Sequence, residues 1–214
     1  MNFHIITLFP ESMESYIKSS IIKRAIEDKK ISVKFYNPRD FTNDKHKRID
    51  QKPYGGGPGM VIQAEPVIKA IAKAKGRKKK VKIYFTSPSG KKFTTDIAKK
   101  TANNYKDTII ICGRYEGIDA RIKKVFSMEE ISIGDYVLTG GELPALVMMD
   151  SISRQVKGVL GNVLSCEEDR ISSPEVYTRP ESFKYKKKNY KVPKVLLTGN
   201  HADIDKWRSS KRGK

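Results

Sequence analysis

The run Thr108-Ile109-Ile110-Ile111-Cys112 has no polar face to turn to solvent. A strand that alternates apolar and polar residues can rest one side on water. This one needs cover on both sides, as in a parallel sheet sandwiched between helices. The flanking sequence offers that cover. Residues 2–9 alternate as a strand, Pro10, Glu11 and Glu14 suit a first helical turn, and Met13, Ile17, Ile21 and Ala25 recur at helical spacing. Ile31, Val33 and Phe35 predict a second strand closed by Asn37-Pro38, and residues 42–60 read as a long loop. A helix follows from Glu65 to Lys75, with Pro66 near its start and Gly76 beyond its end. Val81, Ile83 and Phe85 alternate as a third strand, and Thr94 to Asn103 reads as a polar helix. Beyond the buried run, residues 119–127 look helical, 131–138 look like a strand, and 142–157 look like a helix rich in Leu, Val and Met. Strands alternating with helices predict an α/β domain over residues 1–160 with a mostly parallel sheet. Periodicity dissolves over 161–175, a linker, and residues 176–214 form a short basic C-terminal domain with a last helix from Ala202 to Arg208.

Charge narrows the partner. Lys and Arg number 43 against 24 acids, a formal +19. Residues 176–214 hold 12 basic and 3 acidic side chains, so about half of that excess sits in the last 39 residues. Such a tail suits phosphate, because bound Lys and Arg displace condensed counterions. The plainer reading is a Lys-rich composition, since Lys outnumbers Arg 32 to 11. No apolar run approaches the roughly 18 residues of a membrane span. The N-terminal MNFHIITLFPES lacks the basic stretch and cleavage site of a secretory signal. Cys112 and Cys166 have no paired spacing, which excludes a disulfide scaffold and fits a reducing cytoplasm. Three scattered histidines, His4, His46 and His201, give no His/Cys metal centre and no recognisable nucleophile–base arrangement.

Three glycine-rich loops interrupt the periodicity: DQKPYGGGPGM (Asp50 to Met60), CGRYEGID (Cys112 to Asp119) and SIGDYVLTGGELPA (Ser132 to Ala145). Each alone could be a tight turn. Two of them follow strands, and loops at the carboxyl ends of parallel strands are where open α/β sheets bind ligands. The ligand is not a dinucleotide on a G-x-G-x-x-G turn, because the first strand ends LFPES. Nor is it a nucleotide on a P-loop, because Gly90-Lys91 is followed by Lys92 and Phe85 stands where the first glycine belongs.

With PRDF (Pro38 to Phe41), GVLG (Gly158 to Gly161), YTRP (Tyr177 to Pro180) and LLTGNHADIDKWR (Leu196 to Arg208), these loops closely resemble the bacterial tRNA (guanine-N1)-methyltransferase family of TrmD type. The resemblance covers nearly the whole chain. It implies the SPOUT fold, in which a parallel sheet carries a deep trefoil knot, with a small, mainly helical C-terminal domain over residues 176–214 that binds tRNA. It implies S-adenosyl-L-methionine bound in the knot by Ser87, Pro88, Gly113, Tyr115, Glu116, Gly117, Ile133, Gly134, Asp135, Tyr136, Val137, Leu138, Gly140, Gly141 and Pro144. The methyl acceptor would be N1 of the guanosine 3′ of the tRNA anticodon. Counting along the match places the general base at Asp169 in the linker and the guanine-orienting arginine at Arg154. The linker departs from the family pattern, since Asp169 is followed by Arg170-Ile171, and its neighbour Glu168 is the competing base. The resemblance further implies a cytoplasmic homodimer with active sites at the subunit interface. Whether Mg2+ takes part is not readable from the sequence. The alternative of a different class is a basic RNA-binding or ribosome-associated protein without catalysis on the same fold; it accounts for the charge but not for acids and glycines at the three loops.

Overall fold

The computed structural model describes residues 1–161 and 175–211. The chain divides into two compact units, Met1–Gly161 and Asn162–Lys214.

In the first unit a five-stranded sheet has the order β2-β1-β6-β5-β7, formed by β1 (Asn2–Ile6), β2 (Ser32–Tyr36), β5 (Val81–Lys92), β6 (Asp107–Ile111) and β7 (Glu129–Ser132). Every pairing in it is parallel. The isoleucine run is β6, at the centre. Ile110 faces a core with Phe3, Ile5, Tyr84 and Ile131, covered by α1 (Glu11–Ile17), α2 (Ser20–Glu27), α4 (Thr95–Asn104) and α6 (Glu142–Arg154). Ile109 and Ile111 face the opposite core with Ile6, Ile83 and Phe85, covered by α3 (Ala64–Lys75) and the single turn α5 (Ile122–Val125). Both faces of the central strand are dry from Ile109 to Ile111, which is why that stretch carries no polar residue.

Four expectations change. The helix expected from Pro10 is two helices, because Ser20 takes a left-handed φ of 47°. That break rotates the apolar stripe by one residue, so Ile22 enters the core and Ile21 is exposed. The third strand does not stop at Phe85. Its register on β7 jumps from Thr86 to Lys91, leaving Ser87, Pro88, Ser89 and Gly90 as an excursion at the sheet edge. The strand expected over 131–138 ends at Ser132, whose Oγ accepts from the Gly134 N–H and starts a turn out of the sheet. The long loop over 42–60 contains β3 (Asp50–Gln51), which pairs with β4 (Val61–Ile62) just beyond it, so a two-residue ladder closes the glycine-rich half.

In the second unit, β8 (Ser182–Tyr185) and β9 (Lys188–Lys191) form an antiparallel hairpin, followed by a 3-10 turn at Lys194–Leu197 and α7 (His201–Lys211). The expectation of a mainly helical appendage missed the hairpin, although Phe183 and Tyr185 alternate with Lys184 and Lys186. Among the described residues no helix is long and apolar enough to cross a membrane.

Candidate functional site

At the carboxyl ends of β5, β6 and β7 the chain encloses a cleft of about 510 Å³. That is a volume suited to a small-molecule ligand. Its walls are the excursion after Phe85, the loop from Gly113 to Ile118, and the segment from Glu130 through Gly141, closed by Pro144 in the first turn of α6. Ser87, Pro88, Gly113, Tyr115, Glu116, Gly117, Ile133, Gly134, Tyr136, Val137, Leu138, Gly140, Gly141 and Pro144 all line it. Asp135 does not. The bend at 133–136 turns its side chain to solvent, 96% exposed and 3.9 Å from Lys92.

Backbone contacts join the second and third glycine loops. The Gly141 N–H donates to the Gly113 carbonyl at 2.9 Å, and Arg114 forms a bridge with Gly140. A Cβ on Gly141 would lie 2.7 Å from Cys112 Cα and 2.8 Å from Gly113 N, so only glycine allows this approach. The first glycine loop backs the cleft without lining it. The Glu116 N–H donates to the Met60 carbonyl at 3.0 Å, and the Ile62 N–H donates to Gly117 O at 3.0 Å. Gly59, at a φ of +78°, lies so close to Glu116 that a Cβ would meet its Oε1 at 2.5 Å. The three loops thus converge, two as walls and one as a buttress.

Sequence reasoning missed Arg114 and Glu142. Glu142, 3% exposed, accepts from Thr7 Oγ1 at 2.7 Å and faces Arg114 Nε at 2.9 Å. This pair meets charge to charge, without an aligned hydrogen bond. The guanidinium also lies 4.7 Å from the Phe9 ring centroid and donates to the Thr139 carbonyl at 3.3 Å. One cation therefore ties the end of β1, the loop after β6, the segment before α6 and the start of α6. The available signal was a cation and an acid each set among glycines, in ICGRYEGID and TGGELPA. Lys123 and Glu130 add a second ion pair on the cleft wall at 2.6 Å.

Among the described residues, no histidine or thiol lines the cleft. Burial pushes the Cys112 thiol well above its ordinary range, with Glu142 adding to the effect and Arg114 opposing it. The described walls offer apolar surface from Pro88, Ile133, Leu138 and Pro144 and carboxylates at Glu116 and Glu130. Arg154 is the last residue of α6 and is not part of the lining. Asp169 and Glu168 lie outside the described residues.

Comparison with known proteins adds chemistry to this geometry. A profile of the family described as tRNA (Guanine-1)-methyltransferase TrmD matches residues 1–214. A tRNA (guanine-N(1)-)-methyltransferase of Clostridioides difficile is 49% identical over 97% of this chain and 90% of its own length. Proteins of the same name from Pseudoalteromonas atlantica and Geobacter metallireducens are 44% and 45% identical, over 96% and 99% of this chain and 78% and 86% of theirs. A match this long, with two of the glycine-rich loops walling one cleft and the third buttressing it, leads to one assignment: the chain belongs to the tRNA (Guanine-1)-methyltransferase TrmD family.

Proposed function

We propose that this protein methylates N1 of the guanosine 3′ of the anticodon in tRNA, with S-adenosyl-L-methionine as methyl donor. The observation that carries the reading is the family match over the whole chain, two of whose glycine-rich loops wall a cleft at the carboxyl edge of the sheet. The cleft fits the donor's chemistry. Gly113, Gly140 and Gly141 let backbone amides and carbonyls approach an adenine edge, and Pro88, Ile133, Leu138 and Pro144 offer apolar surface for its faces. Glu116 provides negative charge for a ligand with cationic sulfonium and ammonium groups, and the Lys123–Glu130 ion pair presents both signs of charge on the wall. When bound, S-adenosyl-L-methionine supplies an electrophilic methyl on a sulfonium leaving group.

The chain's own work is then positioning and proton removal. Asp169 takes the proton from guanine N1, and Arg154 orients the base. The guanine must leave its stack to reach the cleft. The trefoil knot also belongs to this reading. After β7 the chain crosses the end of β5 to start α6 against Cys112 and Gly113 at the end of β6, a crossing consistent with threading. A cytoplasmic homodimer with active sites at the subunit interface completes the proposal. In its support, α6 leaves Leu143 and Val147 exposed, while Leu146, Met148, Met149 and Ile152 are buried within the subunit.

The test is methylation of a defined tRNA transcript, with and without Mg2+, followed by mapping of the modified atom. Methyl on N1 of that guanosine is expected, and methyl on another atom or nucleotide overturns the reading. Asp169→Asn should keep cofactor binding and lower turnover by roughly 10²–10⁴. If Glu168→Gln has that effect instead, the base is misassigned.

A further inference from the structure

The second unit carries aromatic surface that its own packing does not use. Its α7 is tied to the preceding segment by Trp207, whose ring centroid is 6.1 Å from that of Tyr177, and by Lys211 with Glu175 at 3.1 Å. The hairpin β8–β9 contributes no ring to that cluster. Its register sets Phe183 opposite Tyr190 and Tyr185 opposite Lys188, so these four side chains share one face. Phe183 and Tyr190 stack on each other, centroids 5.4 Å apart at 15°. Yet Phe183 is 58% exposed, Tyr185 60% and Tyr190 41%. A two-stranded hairpin alone in water is marginal, so three exposed rings on one side of it call for an occupant.

Charge selects the occupant. Residues 182–194 contain six lysines and no carboxylate. Lys186 Nζ lies 5.7 Å from the Tyr185 centroid and Lys188 Nζ lies 5.5 Å from that of Tyr190, so a cation accompanies each tyrosine ring. An apolar protein surface docked here would strand those ammonium groups without counter-charge. A run of unpaired nucleotides brings a π-face and a phosphate with every unit, matching ring and cation together. Single-stranded loops are also the part of RNA whose bases are free to stack on side chains. We infer that the Phe183–Tyr185–Tyr190 face is a stacking platform for unpaired nucleotides of the RNA substrate, with the flanking lysines on the phosphates. This rests on the tRNA reading above and adds how the second unit grips non-helical RNA.

The probe is a seven-nucleotide single-stranded RNA that contains one 2-aminopurine and no guanosine, titrated with full-length protein. Stacking quenches its fluorescence, and the absence of guanosine separates binding from methylation. Tyr185 is the residue to change, because it stands outside the Phe183–Tyr190 pair. Tyr185→Leu should weaken binding by about 5- to 100-fold, reduce the quenching, and leave the salt dependence of log K unchanged, since no charge is removed. Tyr185→Trp should bind at least as tightly as the natural chain. If Tyr185→Leu disturbs the hairpin, the Trp variant decides, because a larger ring benefits stacking and gives a solvated surface nothing. Equal affinity for Tyr, Leu and Trp overturns the platform. So does a dimer in RNA-free solution that Tyr185→Ser dissociates, which would assign the face to a second copy. Normal tRNA methylation without quenching overturns the platform alone, whereas quenching without methylation overturns the proposed function and leaves the platform.

Discussion

At Gly141 the fold leaves no room for a methyl group, because the floor of the cleft is made by two backbones touching. Gly141→Ala must push Cys112 and Gly113 away or shift α6, so it should destabilise the protein by about 1–3 kcal/mol and weaken S-adenosyl-L-methionine binding. Gly161, which has open space around its Cα, is the control, and Gly161→Ala should change stability by less than about 0.5 kcal/mol. Urea denaturation and a cofactor-induced thermal shift read both effects. Arg114 and Glu142 present the opposite problem, a buried charge that depends on one neighbour. Arg114→Met leaves the Glu142 carboxylate with Thr7 alone and should cost about 3 kcal/mol. Adding Glu142→Gln to that variant should recover a large share of the loss. A double-mutant cycle checks it, and strict additivity would show that the pair is not coupled.

Between elements, α1 and α6 are joined by Tyr16, whose hydroxyl donates to Asp150 Oδ2 at 2.5 Å. That hydrogen bond, with burial and the Asp150 charge behind it, pushes the Tyr16 phenol up to about 12. In the unfolded chain a tyrosine ionises near about 10, so the native state holds this proton longer. The contribution is therefore intact below about pH 10 and is lost as pH rises from about 10 to 12. The natural chain should lose stability over that window more steeply than Tyr16→Phe, as read from urea midpoints at several pH values, and parallel curves would refute the linkage. The same scale shows what sequence could reveal. The isoleucine strand was legible because its environment allows no polar face. The break between α1 and α2 was not, because nothing about Ser20 announces a left-handed turn. The segment after Ser132 read as strand because Ile133, Val137 and Leu138 are apolar for the sake of a cleft. Site motifs were legible through glycine, which marks where backbones touch. A motif does not report side-chain direction: Asp135 lies within one yet turns outward, and Arg114 lies within another yet turns inward to Glu142.

For the whole molecule, the open question is whether one chain suffices. Most of the apolar surface of α6 is satisfied inside the subunit, and the remainder, Leu143 and Val147, lies one turn apart, 60% and 48% exposed. A pair at i, i+4 on a helix is a small contact, but under two-fold symmetry it is used twice. In the proposed homodimer the cofactor cleft of one subunit works with the linker of its partner, which makes an arithmetical prediction. Asp169→Asn removes the base, and Gly141→Trp blocks the cleft at the Cys112–Gly113 contact, so each homodimer should be inactive. In a mixed dimer, one of the two shared sites receives both damaged parts and the other receives neither. Subunit exchange should therefore restore activity, approaching one intact site per heterodimer, which a titration of one variant with the other would show as a maximum near equal mixing. If heterodimers form, as mass spectrometry of differently tagged chains can establish, and activity stays absent, each site is contained within a single chain. A fully active monomer by light scattering would remove the interface from the mechanism.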